Sequence, residues 1–372
     1  MRKPWKSVES EQHVQWLKIN EKPLAVAVAA SKSSEYFHPT ISRNQAGKKG
    51  PISDAAMPMV DQCRAIAALL VTRAMLRLGE GQLDDAFTDV LAIHRLGRLV
   101  SRGGSALDFL VGIALQAQAH NAETAIFEQG RPTAKQALAY RAELLKLTPM
   151  AKIADIVDVH LRFFYLDSHQ RIRREGLDGS TPDQVARALD FELIFRYGNM
   201  SFDMIAALLK LPTRSERMGM QNFGFEIDKK LMVRKSKKVQ KQLQAEAETE
   251  KVRAAVSEEV GMVFVSLLCS SIQRLADSAD RSEQIHRNGI VAAGLAAHFA
   301  DTGKYPQALA DLVPKYLATV PRDAFNEKPL AFRKTDTGYL FYSVGVNGVD
   351  NGGQLLTDVP LGDDVGVRMP WK

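Results

Sequence analysis

Residues 105–129 read SALDFLVGIALQAQAHNAETAIFEQ, and they predict a helix whose first half is nearly apolar all round. A helix without a polar face is buried against several neighbours, so this segment requires other helices around it. The preceding segments supply them, because residues 61–78 and 83–94 carry apolar side chains at spacings of three and four. Glycines at 79 and 81 separate these two segments. The sequence therefore predicts a core of packed helical hairpins.

Helical patterns continue along most of the remaining chain. Thr133 and Thr181 each stand where a hydroxyl can cap the following helix, and Pro182 suits a first helical position. We expect the helix that begins at Pro182 to stop near Gly198, since glycine weakens a helix interior. Another helix is expected over residues 256–299.

The pattern changes after Asp301, where prolines recur and a β-rich run appears. Residues Tyr339–Val344 lie between two glycines and predict a strand. Ala331–Arg333 is a suitable partner, with residues 335–338 as the hairpin turn. The predicted fold class is therefore mainly α, built from helical hairpins or a bundle, followed by a small C-terminal α+β module with an antiparallel sheet.

Three regions follow from these patterns. Residues 1–60 form an N-terminal segment that is partly irregular, because 42–58 is rich in loop-forming residues. Residues 61–253 form the helical region, and residues 254–372 form the α+β module.

Composition excludes some classes of protein. The 372 residues carry a net charge of +6 and are 45% apolar, which is ordinary for a globular protein. The longest nearly apolar run, Val260–Cys269, is far shorter than the ~20 residues of a transmembrane helix, so none is expected in this chain. Cys63 and Cys269 are too few for a disulfide scaffold and are expected to be buried thiols.

The sequence contains none of the common catalytic or phosphate-binding motifs, which favours a non-enzymatic function. Its eight histidines are scattered, and His94 and His160 fall on apolar helix faces. A histidine in such a position is more often part of the core or its boundary than a metal ligand. No small-molecule substrate is evident, and an enzyme without a recognisable motif is the alternative.

A basic segment at residues 229–241 raises a second possible function, binding to nucleic acid or to an anionic surface. Its lysines and arginine could neutralise phosphates, and such binding would weaken strongly with salt. The segment has no interleaved aromatic residues, so a solvated helix face is the favoured interpretation. Nucleic acid is therefore not expected as the main partner.

Residues 63–99 resemble one tetratricopeptide repeat. The match consists of the spacing of Leu70, Ala74, Gly81 and Ala86; in that repeat, small residues bring two antiparallel helices together and a glycine makes the turn. Leu70 and Arg77 stand at the usual aromatic positions, and no second copy follows. A helical hairpin unrelated to the repeat family is the alternative interpretation.

The C-terminal region carries a more specific set of motifs. In order, they are Gly303-Lys304-Tyr305-Pro306, Leu312-Val313-Pro314-Lys315-Tyr316-Leu317, Pro321-Arg322-Asp323-Ala324-Phe325, Gly338–Gly345 and Asn347-Gly348. Residues 285–366 thereby resemble the globular end of the major pseudopilin of type II secretion systems, the protein G type. The chain as a whole is similar to bacterial proteins in which a helical region precedes a pseudopilin-like tail.

This resemblance implies a calcium site in the loop after the sheet hairpin. Carried over by position, Asn347 stands where the family has an aspartate, and Asp364 matches the family's later aspartate. Asp350 lies where the loop turns, and Asp363 is adjacent to Asp364. Oxygen ligands suit Ca²⁺, although asparagine at 347 removes one negative charge from the site. A surface loop without an ion is the alternative.

The resemblance also guides the expected function. The chain lacks the long apolar N-terminal helix of a pilus subunit and has about 280 mostly helical residues in its place, so we do not expect it to build filaments. We expect a structural or protein-interaction protein with a protein partner. Its location would be the cell envelope or extracytoplasmic space if an N-terminal export segment precedes this chain, and the cytoplasm otherwise.

Overall fold

The computed structural model describes residues 3–37, 58–176, 179–211, 214–217 and 250–370. The described chain is mainly helical and ends in a small antiparallel sheet, which confirms the predicted fold class. The α-helices are α1 Glu11–Ile19, α2 Glu21–Ala30, α3 Pro58–Gly79, α4 Leu83–Val100, α5 Ala106–Ala125, α6 Ala134–Leu145, α7 Ile153–Ile156, α8 Arg162–Glu175, α9 Pro182–Ala188, α10 Phe191–Leu209, α11 Arg214–Arg217 and α12 Glu250–Thr302. Two π-helical turns, Ile126–Gly130 and Val157–Leu161, continue α5 and α7.

Helices α3 and α4 form the hairpin that the sequence predicts at residues 63–99. Gly81 makes the turn with a φ of +77°, a value that glycine adopts at little cost. Asp89 on α4 is fully buried and accepts hydrogen bonds from Arg73 and Arg77 on α3. These pairings lock the two helices in one register, because an unpaired charge at this depth would be costly.

Buried side chains form two hydrophobic clusters. The first joins α1–α6 to the C-terminal half of α12 and to the sheet, and it includes Leu115, Val291 and Phe341. The second joins α7–α10 to the N-terminal half of α12, and it includes Tyr165 and Val260. Helix α12 thus contributes to both clusters, and the sheet shares its core with the helical hairpins.

The sheet has three strands, β1 Ala331–Lys334, β2 Tyr339–Ser343 and β3 Val365–Met369, in the order β1-β2-β3. Phe332 pairs with Phe341 in the first ladder, and Phe341 pairs with Val367 in the second. The predicted hairpin is therefore confirmed. The third strand was not expected, because the sequence after Gly345 shows little periodicity.

Buried amides tie α12 to this module. The Asn288 side chain donates to the Val365 carbonyl at 3.1 Å and accepts from the Gln284 amide at 2.7 Å. The Gln284 side-chain oxygen accepts the Ala324 N–H at 2.8 Å. Since both side chains are fully buried, these bonds fix how α12 crosses the sheet.

Local signals at helix ends were mostly predicted correctly. Thr133 and Thr181 both form capping boxes, with Gln136 and Gln184 as their partners. The predicted stop near Gly198 was wrong, because the helix that begins at Pro182 ends at Ala188 and a separate helix, α10, runs through Gly198 from Phe191 to Leu209. In the residues that the structure describes, no helix is both long enough and apolar enough to span a membrane.

Candidate functional site

A cleft of about 500 Å³ opens where the end of α5, the end of α12 and one end of the sheet meet. This volume lies in the range of about 300–1,000 Å³ that small-molecule sites occupy. Its lining comes from both parts of the chain and includes Phe127, Arg131, Phe299, Tyr305 and Thr337. The cleft is therefore a candidate binding site at the junction of the helical region and the α+β module.

An irregular backbone forms one wall of the cleft. Helix α5 widens into the π-helical turn Ile126–Gly130, a feature that often marks functional sites. The next residue, Arg131, has a φ of +46°, which is uncommon for a residue with a side chain. Thr133 then caps α6. This geometry places the Phe127, Glu128 and Arg131 side chains along the cleft.

Stacked aromatic rings form the opposite wall. Phe299 on α12 stacks on Tyr305 with ring centroids 4.6 Å apart, and Tyr305 meets Tyr339 of β2 edge-on at 4.8 Å. Burial raises the pKa of Tyr305, which Arg131 opposes and Glu128 reinforces. The cleft thus combines aromatic surface with one cation and one anion, a combination suited to a peptide segment with an apolar anchor.

A buried polar network lies one helical turn before the π-helical turn, centred on Glu123 of α5. The Glu123 carboxylate accepts from His120 at 2.7 Å, from His94 of α4 at 3.2 Å and from the Tyr140 hydroxyl of α6 at 2.6 Å. A Cβ at Gly289 of α12 would collide with the same carboxylate. Four helices therefore converge on one buried acid.

Hydrogen bonding defines the protonation of this network. His94 Nδ1 lies 2.8 Å from the side-chain oxygen of Gln116. The side-chain nitrogen of Gln116 donates to the His94 carbonyl. Both ring nitrogens of His94 therefore face acceptors, and both must carry protons. Burial raises the pKa of Glu123, but the hydrogen bonds from His120 and His94, together with the positive charge of His94, outweigh it and hold that pKa far below its usual value. Burial and Glu123 raise the pKa of Tyr140.

The residues of the predicted calcium site are gathered around the loop before β3. Asp364 is buried, and its carboxylate accepts the Gly353 N–H at 2.8 Å. Burial raises the pKa of Asp364, and the charge of Asp350 raises it further. Asp350 accepts from the Tyr342 hydroxyl at 2.9 Å and from the Gly352 N–H at 2.8 Å, in both cases through Oδ1.

The other two members lie at the outer side of the same loop. Asp363 accepts the Asn347 N–H at 2.7 Å and also receives Arg281 of α12 at 3.0 Å. The Asn347 side-chain oxygen accepts the Val349 N–H at 2.7 Å. The oxygen atoms of these four residues suit calcium chemically, but several of them already accept hydrogen bonds from N–H and O–H groups. Among the described residues, no group of three or more histidine, cysteine or acidic side chains is placed to hold a metal.

The remaining features singled out in the sequence are a histidine, a cysteine and the basic segment. His160 is half-buried and accepts the Ala106 N–H at 3.2 Å, at the boundary of the core. Cys63 is a buried free thiol, as expected. The basic segment 229–241 lies outside the described residues.

The Glu123 network was missed by sequence reasoning. His120 and Glu123 stand three positions apart, a spacing that places two side chains on one helix face. That spacing was the available signal, but His94 and Tyr140 join only through tertiary packing. As for known proteins, no protein-family profile, curated protein or solved structure was found to match this chain.

Proposed function

We propose that this chain is a non-enzymatic structural and protein-interaction protein of the cell envelope, which holds a segment of a protein partner in the junction cleft. The observation that carries the proposal is the position of that cleft. It is lined by Phe127 and Arg131 from the helical region and by Phe299, Tyr305 and Thr337 from the C-terminal region.

The shared core supports a scaffold role. The helical hairpins and the sheet bury one common cluster, so the walls of the cleft are held at a fixed separation. The residues of a preformed cleft lose little conformational freedom on binding, and this lowers the entropic cost of capturing a peptide. Aromatic residues and arginine are also the side chains most enriched at binding hot spots.

The envelope location rests on the pseudopilin-like motifs of residues 285–366. A long helix packed on a small antiparallel sheet is the arrangement that those motifs imply, and α12 with β1–β3 has this arrangement. Calcium would have a structural role, in which Asn347, Asp350, Asp363 and Asp364 order the loop before β3. Calcium bound there would stabilise the loop rather than supply chemistry.

Site-specific photo-crosslinking tests the proposal. A photoreactive residue at Thr337, which lines the cleft, should capture one partner from the native envelope fraction, whereas the same probe at the exposed Lys32 after α2 should not. Capture at Thr337 should fall at least about tenfold in an Arg131→Glu variant, because charge reversal at a hot spot typically costs more than 1.4 kcal/mol.

The matched control is Arg333→Glu, which reverses an arginine outside the cleft lining. It should leave capture at Thr337 unchanged. Equal capture at Thr337 and Lys32, or capture at Thr337 that is unchanged in the Arg131→Glu variant, would reject the junction cleft as the interaction site.

A further inference from the structure

A smaller cavity of about 140 Å³ lies between α5, α12, β3 and the loop before it. Ile285, Leu355 and Val367 give it apolar walls, and His120 and Arg281 also line it. An engineered cavity of about 150 Å³ in another protein holds benzene, so this one has room for a ligand of about six heavy atoms. It is separate from the junction cleft, with which it shares no lining residue.

Glu123 defines which nitrogen of His120 is available to a ligand. His120 Nδ1 lies 2.7 Å from Glu123 Oε1. An ionised carboxylate can only accept, so Nδ1 carries a proton and donates it to this bond. In the neutral ring, Nε2 then keeps its lone pair. His120 therefore presents a hydrogen-bond acceptor to the cavity that it lines.

His94 and Tyr140 complete the hydrogen bonding around the Glu123 carboxylate. His94 of α4 donates through both ring nitrogens, and its positive charge balances that of Glu123. Tyr140 of α6 adds a neutral hydroxyl to the same carboxylate. The Glu123 carboxylate therefore accepts from three side chains, and His120 contributes to them through Nδ1 alone.

Arg281 supplies the opposite kind of group. One nitrogen of its guanidinium donates to Asp363 at 3.0 Å, which orients the side chain on α12. A guanidinium has five N–H donors, so capacity remains for a carboxylate. Asp364 also lines the cavity, but its carboxylate is engaged by the backbone N–H groups of Gly353 and Asn351.

We propose that this cavity binds a short 2-hydroxycarboxylate, with its carboxylate on Arg281 and its hydroxyl donating to His120 Nε2. The alkyl group of the ligand packs against Ile285 and Val367. Each polar group of such a ligand meets a complementary protein group, and a molecule of about six heavy atoms matches the volume. The proposal is independent of the partner bound in the junction cleft.

Calorimetric titration of the wild-type protein with three small probes gives the first test. Lactate has both groups, propionate lacks the hydroxyl, and lactamide lacks the charged carboxylate. Lactate should bind at least about tenfold more tightly than either analogue, since each missing hydrogen bond to a buried or charged group costs more than about 1.4 kcal/mol. Equal binding of lactate and propionate, or no lactate binding at tens of millimolar, would overturn the proposal without any variant.

Variants then assign the two contacts. His120→Phe should remove the difference between lactate and propionate, and Arg281→Met should weaken lactate at least about tenfold while leaving lactamide little changed. Arg287→Met is the matched control, because Arg287 lies on α12 outside the cavity and pairs with the exposed Glu283. Loss of lactate binding in the control as well would contradict the assignment.

Discussion

His120 and Glu123 stand one helical turn apart on α5, and the imidazole of the first donates to the carboxylate of the second across 2.7 Å. The same carboxylate receives His94 from α4 and Tyr140 from α6. Glu123 thereby connects three helices through hydrogen bonds, and Gly289 brings the fourth, α12, against it. A buried charge with this many partners is satisfied as it stands but is sensitive to the loss of any one of them.

Replacing Glu123 by glutamine should lower the free energy of unfolding by about 3 kcal/mol or more, because His94 would be left as a buried cation without its counter-charge. Urea denaturation at neutral pH measures this loss. Glu283→Gln is the control, since Glu283 forms an exposed ion pair with Arg287 and its loss should cost less than about 1 kcal/mol. Similar losses for both variants would show that the Glu123 network does not stabilise the fold.

Gly289→Ala should destabilise the protein by about 1–3 kcal/mol, because the added Cβ has no room beside Glu123. Gly261→Ala provides a comparison on the same helix, where the nearest atom that a new Cβ would meet outside the helix is the Tyr165 hydroxyl oxygen at 3.5 Å. Alanine there should stabilise by about 0.5–1 kcal/mol through helix propensity. Thermal melts of the two variants should therefore shift in opposite directions, and shifts of one sign would refute the close approach at Gly289.

The sequence predicted those elements whose signals are local. The apolar run of α5, the threonine caps and the hairpin of β1 and β2 all lie within short windows. Strand β3 pairs with β2 across the long loop after Ser343, so no turn signal announces it. Gly198 misled the prediction of a helix end, because its missing side chain makes room for the Tyr165 ring rather than a break in α10.

The candidate sites depended even more on tertiary packing. His120 and Glu123 are neighbours on one helix face, but His94 comes from the preceding helix and Gly289 from a helix far along the chain. The junction cleft likewise combines Phe127 with Tyr305. Short sequence windows do not show such contacts between distant residues. The aspartates of the loop before β3 were predicted from a resemblance to family motifs, and their calcium site stays a prediction.

Acid should weaken the fold through His286 of α12. Burial, together with the charges of Arg98 and His94, lowers its pKa to about 4, while the unfolded chain keeps an ordinary value near 6.5. The folded state favours the neutral ring. The stabilisation that this pKa difference gives the folded state is therefore present above about pH 6.5 and is lost as the pH falls toward 4. Between pH 7 and pH 5 the free energy of unfolding should drop by about 2 kcal/mol from this residue.

A His286→Gln variant checks this assignment, because glutamine stays neutral throughout the range. Urea titrations at the two pH values should show a smaller drop for the variant than for the wild type. Part of the drop should persist, since burial also lowers the pKa of His160 and His169. An unchanged pH dependence in the variant would exclude His286 as a major source of acid sensitivity.

Calcium should raise the melting temperature if the loop before β3 binds it. At a dissociation constant of ~0.1 mM and ~1 mM calcium, the gain in the free energy of unfolding is about 1.4 kcal/mol, enough to order a loop but not to fold a domain.

Asp364→Ala should abolish this gain but should also lower stability without calcium, because the Asp364 carboxylate accepts the Gly353 N–H. Asp350→Asn separates the two effects, since asparagine can still accept from Tyr342 and Gly352 while the charge is removed. In chelator, the melting temperature of that variant should be close to that of the wild type, and calcium should raise it little. A wild-type melting temperature that changes with neither calcium nor chelator would reject the ion site altogether.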